Sequence, residues 1–166
     1  MLTHEPPSGG SPFEEKTGGR MNLTEHFTLE ELTFSSTATV RGIDNTPTPE
    51  IVANLTTLCA TLEQVRTLLG FPMHIDSGYR CTALNLAVRG VPTSAHVTGY
   101  AADFICPQFG EPLDIVKALA ASDLKWDQVI QEGTWVHLSV APAMRQQALT
   151  AHFVNGIASY QQGISA

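Results

Sequence analysis

The sequence predicts a small single α+β domain in which an antiparallel sheet is flanked by helices, and three observations carry that prediction. One long segment repeats its apolar residues with a helical period, several short segments alternate apolar and polar residues, and a tight glycine turn joins two of the latter into a hairpin. The chain has 166 residues, 43% of them hydrophobic, which suffices for one core and is too apolar for a disordered chain.

Taken in order, residues 1–20 are rich in proline, glycine and charge without periodicity and are expected to form a flexible extension, leaving 21–166 as the domain. In FTLEELTFS, Thr28 and Glu31 have the spacing of a capping box, and Leu29 and Leu32 give a short helix its apolar side. The longest helix follows. Thr48 is its N-cap, Pro49 its first residue and Gly70 its stop, with apolar positions at Ile51, Leu55, Leu58, Leu62, Val65 and Leu69. Its stripe faces a sheet, because the next residues, PMHID, alternate Met73 and Ile75 against His74 and Asp76. CTALNLAVRG has helical spacing through Leu84, Ala87 and Val88 and ends at Gly90, and the loop VPTS leads on. AADFICP reads as a strand and EPLDIVKALAAS as a helix. DQVIQE and WVHLSV read as two strands joined at Gly133-Thr134, and AMRQQALTAHF as a last helix.

Charge and composition exclude several functions. A net charge of -7 is the wrong sign for a phosphate-backbone binder, so nucleic acid is not expected as a partner. The chain has no apolar run of about 18 residues, so membrane insertion is not expected either. Its first residues lack the basic start and apolar stretch of a secretory signal, which predicts synthesis in the cytoplasm without an export address. The three cysteines, Cys59, Cys81 and Cys106, lack metal-type spacing and read as reduced core or helix residues.

The chemistry centres on SAHVTGYAADF, which holds His96 and Asp103 seven residues apart. With Gly133 first in a two-residue turn, Glu132 lies opposite Trp135, and His137 shares their face of the hairpin. By the same alternation Asp103 meets the hairpin if its strand is a sheet neighbour, and Gly99 lets the chain turn so that His96 returns over Asp103. Two histidines and one carboxylate then converge on one ion with a fourth position open to water, the arrangement of a catalytic zinc site. His4, His26, His74 and His152 have no such partners and read as ordinary histidines.

The pattern H-x-x-G-x-A-x-D at His96, Gly99, Ala101 and Asp103, preceded by SGYR and Ser94 and followed by W-x-H at Trp135 and His137, resembles the zinc D-alanyl-D-alanine carboxypeptidase family. That family includes vancomycin-resistance dipeptidases and phage endolysins and is related to the hedgehog domain. The resemblance covers most of residues 21–145. It implies one Zn2+ per chain held by His96, Asp103 and His137, peptidoglycan stem peptides as substrate, and Arg80 at the scissile carbonyl. Some members carry a glutamate three residues before the last histidine, where this chain has Thr134. Others place the catalytic side chain five residues before it, here Glu132, which the hairpin geometry also favours as general base. Ser94 and Trp135 are expected at the substrate, and Ser94 and Asp76 as partners that orient a ligand or Arg80. The expected activity is that of a carboxypeptidase or endopeptidase, in a phage or prophage lysin that reaches the wall through a pore or within a phage particle. A non-catalytic tail or wall-binding module on the same fold, or a dipeptidase for free D-Ala-D-Ala, are the alternatives.

Overall fold

Five helices and six strands make up the described part of the chain, residues 20–155 and 157–165 of a computed structural model. The extension expected over 1–20 lies outside these residues except for Arg20, as does His4. In chain order the elements are α1 (Leu29–Thr33), α2 (Ser36–Arg41), α3 (Pro49–Leu69), β1 (His74–Ser77), α4 (Thr82–Ala87), β2 (Ala101–Ile105), α5 (Pro112–Ala120), β3 (Gln128–Gln131), β4 (Val136–Ser139), β5 (Gln147–Val154) and β6 (Ile157–Gln162).

The caps read from the sequence close α1 and α3. The Thr28 hydroxyl accepts from the Glu31 N–H at 3.3 Å and that of Thr48 from the Ile51 N–H at 3.4 Å, while Gly70 ends α3 at φ 73°. Helix α4 stops at Ala87, short of Gly90, where Arg89 turns the chain at φ 61°. Helix α2 is an addition to the expected set. The Ser35 hydroxyl caps it by accepting from the Ala38 N–H, but its body STATVR is rich in β-branched residues that argue locally for strand.

The strands form one sheet in the order β1-β2-β4-β3-β5-β6. Its neighbours are antiparallel except for β3 and β5, which run parallel, so the sheet is mixed where a wholly antiparallel one was expected. Alternation gives the sheet two unlike faces. Ala102, Phe104, Val129, Val136 and Leu138 point to the helices, where they pack with Leu55, Leu58, Leu62 and Val65 of α3 and Ile115, Val116 and Leu119 of α5. Each of these side chains larger than alanine contributes about 1.5–3 kcal/mol by leaving water. The opposite face carries Asp103, Ile130 and His137, which stand in one row across β2, β4 and β3.

The helix expected through AMRQQALTAHF does not form, and its second half is strand β5. Alanine, leucine and glutamine favour a helix locally, but β3 offers an open edge that β5 fills from Gln128↔Gln147 to Gln131↔Thr150. After Asn155, at φ 51°, the chain returns as β6, where the sequence carries Asn-Gly, the strongest short hairpin signal. Tertiary pairing overrides helix propensity here.

Candidate metal centre

Asp103 and His137 are direct cross-strand partners of β2 and β4, so the ladder itself brings their side chains together. His96 comes from the loop before β2. Gly99 turns that loop at φ 75°, and a side chain there would press on Ile51 of α3 at 3.1 Å, so the return of His96 over the sheet depends on glycine. The Ser94 hydroxyl accepts from the His96 N–H at 3.4 Å and the His96 carbonyl from the Arg80 N–H at 3.2 Å, which fixes the loop against the SGYR turn. Asp103 Oδ1 lies 3.1 Å from His96 Nε2 and 2.9 Å from His137 Nδ1, and the two ring nitrogens are 3.2 Å apart.

This donor set fits a cation. His96 Nδ1–H donates to the Gly78 carbonyl at 2.6 Å, so in the neutral ring Nε2 is a bare lone pair aimed at the cluster. Burial pushes His96 below its ordinary range, against the attraction of Asp103, and keeps it neutral. Burial would raise the Asp103 carboxyl, but the His96 and His137 rings outweigh it and hold that group well below the usual carboxylate range. Lone pairs and a carboxylate oxygen thus converge in a nearly dry place, with ligand atoms within 4.8 Å of one another, and these three residues can hold a metal ion. Gly78 owes its place to close packing. Its backbone lies under the Leu32 carbonyl, with no room for a Cβ, and that packing aims its own carbonyl at His96.

Arg80 and Glu132 flank the cluster. The Arg80 guanidinium sits 3.6 Å from Asp103 Oδ2 and lines the cavity beside the cluster, and its Nε is buried without a partner. Glu132 lies outside the ligand set. It is two residues beyond Ile130 on the metal face, and its Oε2 accepts from Trp135 Nε1–H at 2.7 Å. Burial raises its carboxyl, Asp103 adds to the rise, and His137, the Trp135 hydrogen bond and Arg80 oppose it.

On one side of the cluster a cavity of about 270 Å³ is lined by Ser35, Thr37, Asp76, Tyr79, Arg80 and Asp103. Burial raises the Asp76 carboxyl, which lies 3.6 Å from His74 Nε2. On the other side stands the β5–β6 hairpin, with Phe153 ring to ring with Trp135 at 6.5 Å and Tyr160 on β6. Sequence reasoning missed both the α2 wall and the hairpin wall. The Asn155-Gly156 turn was the available signal for the second.

The remaining residues keep to structural roles. His26 contacts Glu63, His74 Asp76 and His152 Gln161, and none of the three joins the cluster. The cysteines are free, and burial pushes the Cys59 thiol up to about 12. No described helix is long and apolar enough to cross a membrane.

Among known proteins, the sequence model of the family described as Peptidase M15 matches residues 25–139. No curated protein matches the chain. The matched span holds His96, Asp103, His137, Arg80 and Glu132 and ends before β5.

Proposed function

The chain belongs to the Peptidase M15 family and is thereby a hydrolytic metallopeptidase, and from that premise we propose that it is a zinc enzyme cutting peptidoglycan stem peptides. It acts as a D-alanyl-D-alanine carboxypeptidase or as an endopeptidase at a nearby bond. The observation that carries the reading is the convergence of His96, Asp103 and His137 with Glu132 beside them but outside the ligand set.

His96, Asp103 and His137 would hold the ion through one nitrogen of each ring and one carboxylate oxygen, a set that suits zinc. Zinc, when bound, supplies the acidification of water and the polarisation of a carbonyl that peptide hydrolysis needs at neutral pH. Glu132 takes a proton from the attacking water and delivers it to the leaving amine nitrogen. The Trp135 hydrogen bond occupies Oε2, which leaves Oε1 for that proton. Arg80, whose side chain lines the cavity beside Asp103, meets the oxygen of the scissile carbonyl as negative charge grows on it. Ser94 serves the substrate indirectly by holding the His96 loop, and Trp135 by orienting Glu132. The substrate sets the place of action, the bacterial wall, reached through a pore or within a phage particle as a phage or prophage lysin.

The test is mass spectrometry of muropeptides incubated with the zinc-loaded protein, with and without a chelator, beside Glu132→Ala. We expect a chelator-sensitive mass loss that names the bond, and a drop of about 10²–10⁴-fold in rate for Glu132→Ala with zinc content unchanged. Intact muropeptides with zinc bound would turn the reading toward a non-catalytic wall-binding module.

A further inference from the structure

The β5–β6 hairpin lies beyond the family match and carries a polar group that the chemistry above leaves unused. Register places it. Gln131 is abreast of Thr150, so one residue further along these parallel strands Glu132 is abreast of Ala151, and Ala151 pairs directly with Tyr160. Glu132, Ala151 and Tyr160 therefore form a row on the metal face, continuing the side of the sheet that holds Asp103, His137 and Ile130. The middle position is an alanine. An aromatic side chain reaches past so small a neighbour toward the next strand, and the two outer strands are roughly 10 Å apart by the ordinary spacing. Phe153, two residues beyond Ala151 on the same face, meets Trp135 at 6.5 Å and fastens the hairpin beside Glu132.

We propose that Tyr160 touches substrate in this same site, its hydroxyl donating a hydrogen bond to the scissile carbonyl oxygen as a second donor beside Arg80. The inference rests on the peptidase reading above. The electrostatics agree with the geometry: burial, then Glu132 and Asp103, raise the Tyr160 hydroxyl above the usual tyrosine range while Arg80 opposes them. The group thus keeps its proton at working pH and remains a donor. Arg80 senses Tyr160 in turn. Tyr160 as a residue is 54% exposed, so it can meet a ligand arriving from solvent.

The experiment compares the zinc-loaded full chain with Tyr160→Phe, which keeps the ring and removes the hydroxyl. It measures kcat and KM on a D-Ala-D-Ala-terminated muropeptide, zinc stoichiometry, and affinity for a phosphinate dipeptide that mimics the tetrahedral state. We expect kcat and phosphinate affinity to fall together by about 10- to 100-fold, with KM within about threefold and zinc content unchanged. Cleavage and phosphinate binding at wild-type levels in Tyr160→Phe would overturn the role of Tyr160 alone. A wild-type chain that leaves muropeptides intact would overturn the peptidase reading and this one with it. Loss of zinc from Tyr160→Phe would show a structural role instead.

Discussion

The β2–β4 pair and the β5–β6 hairpin are antiparallel ladders of one sheet, yet they are built to opposite specifications. Ala101 to Phe104 of β2 are all buried, and β2 is paired on both sides. In β5–β6 only Thr150 and Ala151 are buried, β6 is a sheet edge, and Val154 and Ile157 are 67% and 74% exposed. The difference follows from what each has to hold. A buried, ionised Asp103 held between two imidazoles tolerates little movement, since a small shift leaves a buried charge without partners. A wall that meets substrate from solvent has no such constraint. The chain therefore spends its pairing and burial on the ligands and leaves the substrate wall at the rim.

Substitution at the centre breaks this comparison most directly. Asp103→Asn should lower zinc affinity by more than about 100-fold, since even residues behind a ligand cost 10- to 100-fold. Metal analysis after dialysis checks it, and the fold should stay intact, as seen in unchanged far-UV circular dichroism.

The joint between the two regions comes next. Asp127, fully buried just before β3, accepts from Arg145 Nε at 2.8 Å and from its backbone N–H at 2.9 Å, and its carbonyl accepts from Gln147 N–H. Arg145→Ala should cost about 2 kcal/mol, below the full value for a buried pair because Arg145 is half exposed. Zinc content should not change, and urea unfolding of the zinc-loaded protein measures the loss. The Arg145 hydrogen bond is also the main cause that holds the Asp127 carboxyl below its ordinary value. A depressed carboxylate stabilises the fold above its unfolded pKa of about 4, and the contribution disappears as pH falls through the lower folded value. The wild type should therefore lose more stability than Asp127→Asn on going from pH 7 to pH 3.

The smallest effect sharpens the comparison at the contact of the two regions. Trp135→Phe removes the hydrogen bond that pulls the Glu132 carboxyl down, so the acid limb of kcat/KM should move to higher pH, from a position that burial already holds above the ordinary glutamate range. An unmoved limb would show that Glu132 is not the titrating base.

Much of the centre was legible because it depends on periods of two and on short loops. Asp103 and His137 fall on one face by alternation alone, and α3 announces itself by Thr48, Pro49 and Gly70. What escaped depends on distant partners. Nothing local says that Gln147 to Val154 will find the open edge of β3, and Ala, Leu and Gln argue for helix there. The Ser35–Thr37 wall of the cavity escaped because STATVR gains its helix from a serine cap and its packing, against its own β-branched residues. The place proposed for Tyr160 follows only from two strand pairings in succession, β3 with β5 and β5 with β6.

One contact at the other end of the chain has a further consequence. The Leu32 carbonyl, in α1, takes the Tyr79 N–H at 2.7 Å and fills the space a Cβ on Gly78 would need, and the Gly78 carbonyl fixes the tautomer of His96. The first docked helix is thus a proofreader of the metal ligand. Loss of α1 should therefore weaken the Gly78–His96 hydrogen bond and lower metal affinity without touching a single ligand, which metal analysis of a chain lacking α1 checks.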